Sequence, residues 1–218
     1  MGANLSGEAG LSGEAGLSVK RSVSETVCQA KPVFLTFDDG PIPEVTPQVL
    51  AILAHYHVKA TFFMVGENID KHPDVFAQVL DAGHSVGNHT YNHLKGWRTP
   101  FKKYMANVAQ WEEAAKRHSS IHPFTPSTLF RPPYGKATLR QRIALHKKGY
   151  RLIYWDILTR DYEPTRTPEA MLAQIKRNVR PGSIINFHDS LKSNERMLAV
   201  LPQAIEYLQA QGYDLQPL

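Results

Sequence analysis

The sequence predicts an α/β fold, a distorted (β/α) barrel of about seven strands, on three observations. Its 218 residues are enough for one sizeable hydrophobic core. From Lys31 onwards, short apolar runs alternate with segments of helical periodicity, which is typical of a parallel sheet with helices outside it. Polar residues follow several of the apolar runs, where α/β proteins bind their ligands. An open, doubly wound sheet is the alternative arrangement.

The predicted elements follow one another in a regular order. The strands are apolar runs rich in β-branched and aromatic residues, at 33–37, 60–66, 84–89, 127–133, 151–157 and 183–188. The segment 84–89 is short enough to be a turn instead. The helices show apolar residues at helical spacing, at 46–56, 73–83, 101–118, 138–149, 168–179 and 194–212. Gly83 suits the end of the second helix, because glycine readily adopts the left-handed conformation of a C-cap.

The N-terminal segment differs from the rest of the chain. The hexapeptide LSGEAG occurs at 5–10 and again at 11–16, and the segment contains too few apolar residues to pack. We therefore predict that 1–30 is a flexible tail or a cloning remnant and that 31–218 is the folded domain. The N-terminus lacks the regions of a signal peptide, which predicts a cytoplasmic protein, or one of the cell envelope or secreted if the start has been truncated or replaced.

Composition argues against several classes of protein. Cys28 is the only cysteine, so neither an internal disulfide nor a cysteine-based zinc site is expected. No apolar run approaches the roughly 20 residues of a membrane span, and no Lys/Arg run with interleaved aromatic residues indicates nucleic acid. The net charge of +5 indicates either an ordinary solvated surface or attraction to an anionic polymer such as cell-wall material. The sequence does not indicate an oligomeric state.

The segment NHTYNH contains a candidate metal site. His89 and His93 are four residues apart, so on a helical turn their side chains would share one face. Two imidazoles at this spacing can reach one ion, and a carboxylate from a neighbouring strand end would complete a hydrolytic His₂Asp set with an open position. Asp38 and Asp39 end the first strand and point to opposite sides, so one can ligate the ion while the other acts on a nearby water as a base.

Two other strand ends carry candidate catalytic groups. Arg131 could pair with the free aspartate and keep it ionised. Two prolines follow it, so the next backbone N–H belongs to Tyr134 and could stabilise an oxyanion. His188 ends the strand SIINFH and is the remaining candidate for the proton that a leaving group needs. A rigid turn with a surface arginine, and a core histidine with satisfied hydrogen bonds, are the alternative interpretations.

Five motifs, TFDDGP, NHTYNH, RPPYG, WDILTRDY and INFHD, resemble in this order those of the polysaccharide deacetylases of the NodB-homology type, carbohydrate esterase family 4. The resemblance covers the chain from Lys31 to its end. It implies a distorted (β/α) barrel that uses one divalent metal ion, zinc first and cobalt or nickel as alternatives, to remove acetyl groups from N-acetylglucosamine polymers. The implied roles are general base for Asp38, metal ligand for Asp39, His89 and His93, orientation of the base for Arg131, oxyanion binding for the Tyr134 N–H, and general acid for His188.

Three positions in the last two motifs depart from the family pattern. Leu158 aligns with the aspartate that braces the acid histidine, so the pKa of His188 is expected to be lowered unless Asp156 or Asp161 replaces that carboxylate. Asn186, a polar residue, also stands where the family has a leucine of the acetyl pocket, and Tyr162 stands where the family has a tryptophan of that pocket. With these two, the candidate substrate-binding residues are Pro133, Trp155, Tyr162 and Asn186.

Three functions are consistent with these residues. The leading hypothesis is a metal-dependent amide hydrolase that releases acetate from an N-acetylated glycan of chitooligosaccharide or peptidoglycan type. The second is a metal-dependent hydrolase of a small non-carbohydrate amide, which only Asn186 motivates. The third is a weakly catalytic glycan-binding protein, which the apolar side chain of Leu158 motivates.

Overall fold

The computed structural model describes residues 30–119 and 127–218. The predicted tail, with its repeated hexapeptide and Cys28, therefore lies outside the described residues apart from Ala30, and its assignment stays a prediction. Within the described ranges, no helix is both long enough and apolar enough to cross a membrane.

Parallel strands form one sheet at the centre of the domain. They are β1 (Pro32–Asp38), β2 (Thr61–Met64), β3 (Ser85–Asn88), β4 (Leu129–Phe130), β5 (Arg151–Leu152), β6 (Ile157–Leu158), β7 (Ile184–His188) and β8 (Asp214–Leu215). Seven of them pair in the order β5-β4-β3-β2-β1-β7-β6, and β8 pairs with the start of β1. The ladders between them are parallel.

The connection between β5 and β6 shows that this sheet is curled. The two strands lie at opposite edges of the order, but only the four residues 153–156 separate them in the chain. Five peptide steps reach at most about 18 Å, whereas the edges of a flat seven-stranded sheet would lie about 29 Å apart. The edges must therefore curve towards each other, and the predicted distorted barrel of about seven strands is confirmed.

Helices cover the outside of the sheet. They are α1 (Thr46–His55), α2 (Gly66–Lys71), α3 (Pro73–Asp81), α4 (Phe101–His118), α5 (Leu139–Lys147), α6 (Pro168–Asn178) and α7 (Asn194–Ala210), with 3₁₀ turns at Gly96–Arg98 and Pro133–Gly135. The predicted helices agree closely with six of these, and Gly83 has the expected left-handed φ of 70°. The prediction of one strand at 151–157 is wrong, because this apolar run forms the two strands at opposite edges.

The central strands are held by a continuous apolar core. Leu35, Phe37, Phe62 and Phe187 are fully buried, and the ring of Phe37 stacks between those of Phe62 and Phe187, with centroids 5.0 and 5.7 Å apart. Burial of each such side chain contributes about 1.5–3 kcal/mol. This packing fixes the carboxyl ends of β1, β2 and β7, where the polar residues lie.

Candidate active site

The predicted site residues come together at the carboxyl ends of the strands. Asp38 and His188 end β1 and β7 and are direct neighbours in the parallel register. His89 follows β3, Arg131 follows β4, and Asp161 follows β6 by three residues. A pocket of about 620 Å³ opens between these strand ends. The sequence pattern of polar residues after apolar runs thus corresponds to one site.

Asp39, His89 and His93 form a cluster with the geometry of a metal site. One ligand atom from each lies within 4.8 Å of the others. The Oδ1 atom of Asp39 is 3.8 Å from Nε2 of His89 and 3.3 Å from Nε2 of His93. Burial lowers the pKa of each histidine to about 4, so both imidazoles are neutral at neutral pH and keep a lone pair for a ligand.

The donor set fits a divalent cation. Nδ1 of His89 lies 2.7 Å from the backbone carbonyl oxygen of Arg131; since that oxygen only accepts, the proton sits on Nδ1 and the lone pair of Nε2 faces Asp39. Oδ1 of Asp39 is buried without a hydrogen-bond partner among the described residues. Lone pairs that converge on an unpartnered carboxylate oxygen repel one another, and a cation between them removes that repulsion.

A loop, and not the predicted helical turn, brings the two histidines together. Thr90 and His93 have left-handed φ values of 65° and 53°, which interrupt any helix. Oδ1 of Asn107 in α4 accepts a hydrogen bond from the backbone N–H of Tyr91 and so holds the loop. The rings of His89 and His93 lie 5.0 Å apart between centroids. The prediction of a shared helical face is therefore wrong, although the convergence that it implied is present.

Asp38 is held as a buried, ionised carboxylate. Arg131 is fully buried, and its Nη1 donates to Oδ1 of Asp38 over 2.7 Å. Burial alone would raise the pKa of Asp38, but the charge of Arg131, with smaller contributions from His89 and His188, lowers it below its ordinary value. The guanidinium also lies over the ring of Phe63, with its central carbon 4.1 Å from the ring centroid.

Asn186 belongs to this charge network and not to the wall of the pocket. Its Oδ1 accepts from Arg131 Nη1 over 2.7 Å, and its Nδ2 donates to Oδ2 of Asp38 over 3.1 Å. Asn186 and Pro133 are both buried and are not among the residues that line the pocket described above, so their assignment as substrate-binding residues stays a prediction. The burial of Asn186 also removes the motivation for a small-amide substrate.

His188 has a carboxylate partner, although Leu158 occupies the position where the family carries that carboxylate. Oδ1 of Asp161 lies 2.8 Å from His188 Nδ1, and Oδ2 accepts the His188 backbone N–H, also over 2.8 Å. Burial would lower the pKa of His188, but the hydrogen bond and charge of Asp161 raise it to about 9. Asp156 instead pairs with Arg180. The exception to the expected lowering therefore applies: of the two candidate carboxylates, Asp161 is the partner of His188.

The remaining wall of the pocket is largely apolar and aromatic. Two of the predicted substrate-binding residues, Trp155 and Tyr162, line it together with Tyr134 and Leu158. Leu191 also lines it and was not predicted. Its position in the loop that follows β7 was the only signal, because loops after parallel strands surround such sites.

Asp189 was also missed, and it braces the loop after β1 that carries Asp39 of the metal cluster. Its Oδ1 accepts the Gly40 N–H over 3.0 Å, and its Oδ2 accepts the Thr46 hydroxyl over 2.6 Å. A Cβ atom on Gly40 would lie 2.1 Å from Asp189 Oδ2. The glycine of the FDDGP motif is therefore required by the close approach of Asp189, a buried acid that directly follows β7.

The fold and the site together define a metal-dependent hydrolase of the α/β-barrel type. Residues 27–153 match the model of the family described as polysaccharide deacetylase. The chain belongs to the polysaccharide deacetylase family, as the five motifs predicted.

Relatives and solved structures agree with this assignment. The chain is similar to a chitooligosaccharide deacetylase of Azorhizobium caulinodans, 35% identical over 201 residues that cover 85% of this chain and 92% of the relative. It is similar to a peptidoglycan-N-acetylglucosamine deacetylase of Bacillus cereus, 31% identical over 185 residues and 84% of each chain. A solved peptidoglycan N-acetylglucosamine deacetylase superposes with a TM-score of 0.82 at 29% identity over 87% of each chain. A family 4 carbohydrate esterase from Streptomyces lividans in complex with acetate gives 0.76 at 27% identity, over 86% of this chain and 91% of the esterase.

Proposed function

We propose that the protein removes N-acetyl groups from N-acetylglucosamine-containing oligo- or polysaccharides, of chitooligosaccharide or peptidoglycan type, and releases acetate. One observation carries the proposal. A carboxylate that is ionised at neutral pH, Asp38, and an imidazole that is protonated, His188, line the same pocket as the Asp39–His89–His93 cluster. Hydrolysis of an amide needs such a base and such an acid on the two sides of one carbonyl group.

The cluster supports binding of one divalent cation. Its two imidazoles favour zinc over magnesium or calcium, with cobalt or nickel as alternatives. When bound, the cation supplies Lewis acidity towards the amide carbonyl and increases the acidity of water in the pocket.

The protein's own residues handle the protons. Asp38 accepts the proton of the attacking water, and Arg131 and Asn186 hold its carboxylate in place through Oδ1 and Oδ2. The backbone N–H of Tyr134, on the pocket wall, donates to the developing oxyanion. His188 gives its proton to the departing amine, while Asp161 keeps the imidazole oriented and protonated.

Acetate release tests the proposal directly. The chelator-treated protein, with and without added zinc, is incubated with tetra-N-acetylchitotetraose and with peptide-free peptidoglycan fragments. We expect acetate with zinc and none without it. Asp38→Asn should lower kcat by at least about 10³-fold, because the carboxylate that accepts the proton is gone. The exposed Asp74 offers a matched control, and Asp74→Asn should retain wild-type turnover.

Two outcomes would contradict the proposal. Full turnover by Asp38→Asn would exclude the assigned base. Glycan binding without acetate under any of the three metals would indicate instead the weakly catalytic binding protein. The pairing of His188 with Asp161 argues against that second outcome, because it gives the general acid the carboxylate partner that Leu158 cannot provide.

A further inference from the structure

A second groove lies beside the catalytic pocket. Its volume is about 550 Å³, and Trp97, Lys136, Arg142 and Tyr154 are among the residues that line it. Tyr134 connects the two cavities, since it lines the catalytic pocket and its ring packs edge-on against that of Trp97, with centroids 5.6 Å apart. A glycan with an N-acetyl group in the catalytic pocket would therefore extend its neighbouring sugar past Tyr134 into this groove.

The groove presents aromatic surface to solvent. Trp97 is 41% exposed and Tyr154 is 37% exposed. Exposed aromatic side chains in a concave site are typical of ligand contacts, because they offer a large rigid surface at a low cost in side-chain entropy. These two side chains are suited to the apolar faces of a sugar ring.

The groove also presents positive charge without compensating acids. Lys136 Nζ lies 5.4 Å from the ring centroid of Trp97, and Lys95 Nζ lies 5.3 Å from that of Tyr134. Among the residues that the structure describes, Lys95, Lys136 and Arg142 form no ion pair, and no acidic side chain lines the groove. Single unpaired cations are common on surfaces, but here two of them, Lys136 and Arg142, line one concave, aromatic site, and Lys95 lies over the Tyr134 ring beside it. Such a site is complementary to an anionic ligand.

We propose that this groove, which we call the Trp97 groove, binds the sugar next to the one that is deacetylated and selects a sugar that carries a carboxylate. The inference rests on the proposed function and names its substrate class: an acidic glycan in preference to a neutral chitooligosaccharide. The carboxylate has two possible sources, an acid attached to the sugar ring itself, as in N-acetylmuramic acid, or an acid on a peptide attached to that sugar. Both present the same group to the cations.

The test compares four substrates of equal length with the zinc-loaded enzyme. They are tetra-N-acetylchitotetraose, the tetrasaccharide of alternating N-acetylglucosamine and N-acetylmuramic acid, the same tetrasaccharide with its carboxylates converted to neutral methylamides, and the same tetrasaccharide with peptide stems. We expect kcat/KM for the acidic tetrasaccharide to exceed that for its amide by about 3- to 10-fold, as two partly exposed ion pairs would provide. In 0.5 M salt the ratio should fall towards one, because salt screens the attraction between exposed charges.

A charge-removing variant and its control locate the effect. Lys136→Gln/Arg142→Gln should bring the ratio of acid to amide to about one, on a fold that circular dichroism shows to be unchanged. Lys116→Gln/Arg177→Gln removes the same two charges from exposed positions on α4 and α6 and should leave the ratio as in the wild type. A preference seen only with peptide stems would support the groove and assign the carboxylate to the peptide.

Other outcomes overturn the inference. Acetate release at equal rates from the acid, the amide and the peptide-bearing substrate would refute the Trp97 groove and leave the proposed function intact. A preference that survives in Lys136→Gln/Arg142→Gln would refute it as well. No acetate from any substrate would refute the proposed function, and the inference with it.

Discussion

Replacement of Asp161 by asparagine tests the pairing that gives His188 its proton. The pKa of His188 lies at about 9 instead of 6.5. This difference corresponds to about 3 kcal/mol in favour of the imidazolium. Burial acts in the opposite direction, and the groups that oppose it are Asp161 and, from β1 and the loop after it, Asp38 and Asp39. Because Asp161 has the largest effect of the three, we expect the pKa in Asp161→Asn to return to about 6.5 or below.

The expected loss of activity depends on pH. At pH 8 an imidazole with a pKa of about 9 is about 90% protonated, whereas one with a pKa of about 6.5 is about 3% protonated, a roughly 30-fold difference. At pH 6 both are mostly protonated, and the difference is less than about 2-fold. The kcat of zinc-loaded Asp161→Asn, followed by acetate release from pH 5.5 to 9.5, should therefore fall far below that of the wild type at alkaline pH and stay close to it at acidic pH.

Asp156 provides the matched control. Like Asp161, it accepts a backbone N–H from β7, in its case that of Ile184, but it does not contact His188. Asp156→Asn should therefore keep the wild-type pH profile. A uniform loss in Asp161→Asn at every pH, or a shifted profile in Asp156→Asn, would refute the assignment of Asp161 as the group that maintains the imidazolium.

Three further predictions follow from individual contacts. Gly40→Ala would force a Cβ atom against the Asp189 carboxylate; it should cost about 2 kcal/mol or more of unfolding free energy in urea titrations, and Asp189→Ala in the same chain should recover part of the loss. Asn186→Leu removes one of the two hydrogen bonds that hold Asp38, so kcat should fall about 10-fold with KM little changed; an equal rise in KM would argue for a substrate contact instead. His93→Ala removes one of three ligands and should lower zinc affinity at least about 100-fold by competition with a chelator, whereas unchanged affinity would refute the cluster.

The fold was predictable because parallel strands buried on both faces leave continuous apolar runs in the sequence. For the same reason, the run at 151–157 was wrongly predicted to form one strand. It is apolar and aromatic throughout, and nothing local indicates that its first residues join one edge of the sheet and its last residues the other. That division depends on the curvature of the whole sheet, which no short window of sequence contains.

The site was predictable as a set of residue types, but its contacts depended on loop geometry. Leu158, at the end of β6, aligns with the family position that carries a carboxylate, but Asp161 provides that group three residues later. Arg160, with a left-handed φ of 61°, turns the chain just before Asp161. The two histidines of NHTYNH likewise converge through left-handed residues that spacing alone does not reveal.

A signal that was present in the sequence explains the polar interior of the site. The stretch 36–38, TFD, and the stretch 186–188, NFH, both alternate polar, apolar and polar, and the register pairs Asp38 with His188 and Thr36 with Asn186. Alternation in two neighbouring strands puts the polar residues on one face and the two phenylalanines on the other. The polar face is tolerated only because the fully buried Arg131 satisfies it, donating through Nη1 to Asp38, Thr36 and Asn186. The face with Phe37 stabilises the sheet, and the face with Asp38 supplies the chemistry. The two aspartates of FDDGP differ in function because only Asp38 still belongs to the strand. The backbone of Asp39, with a φ of 86°, has already turned towards the histidines.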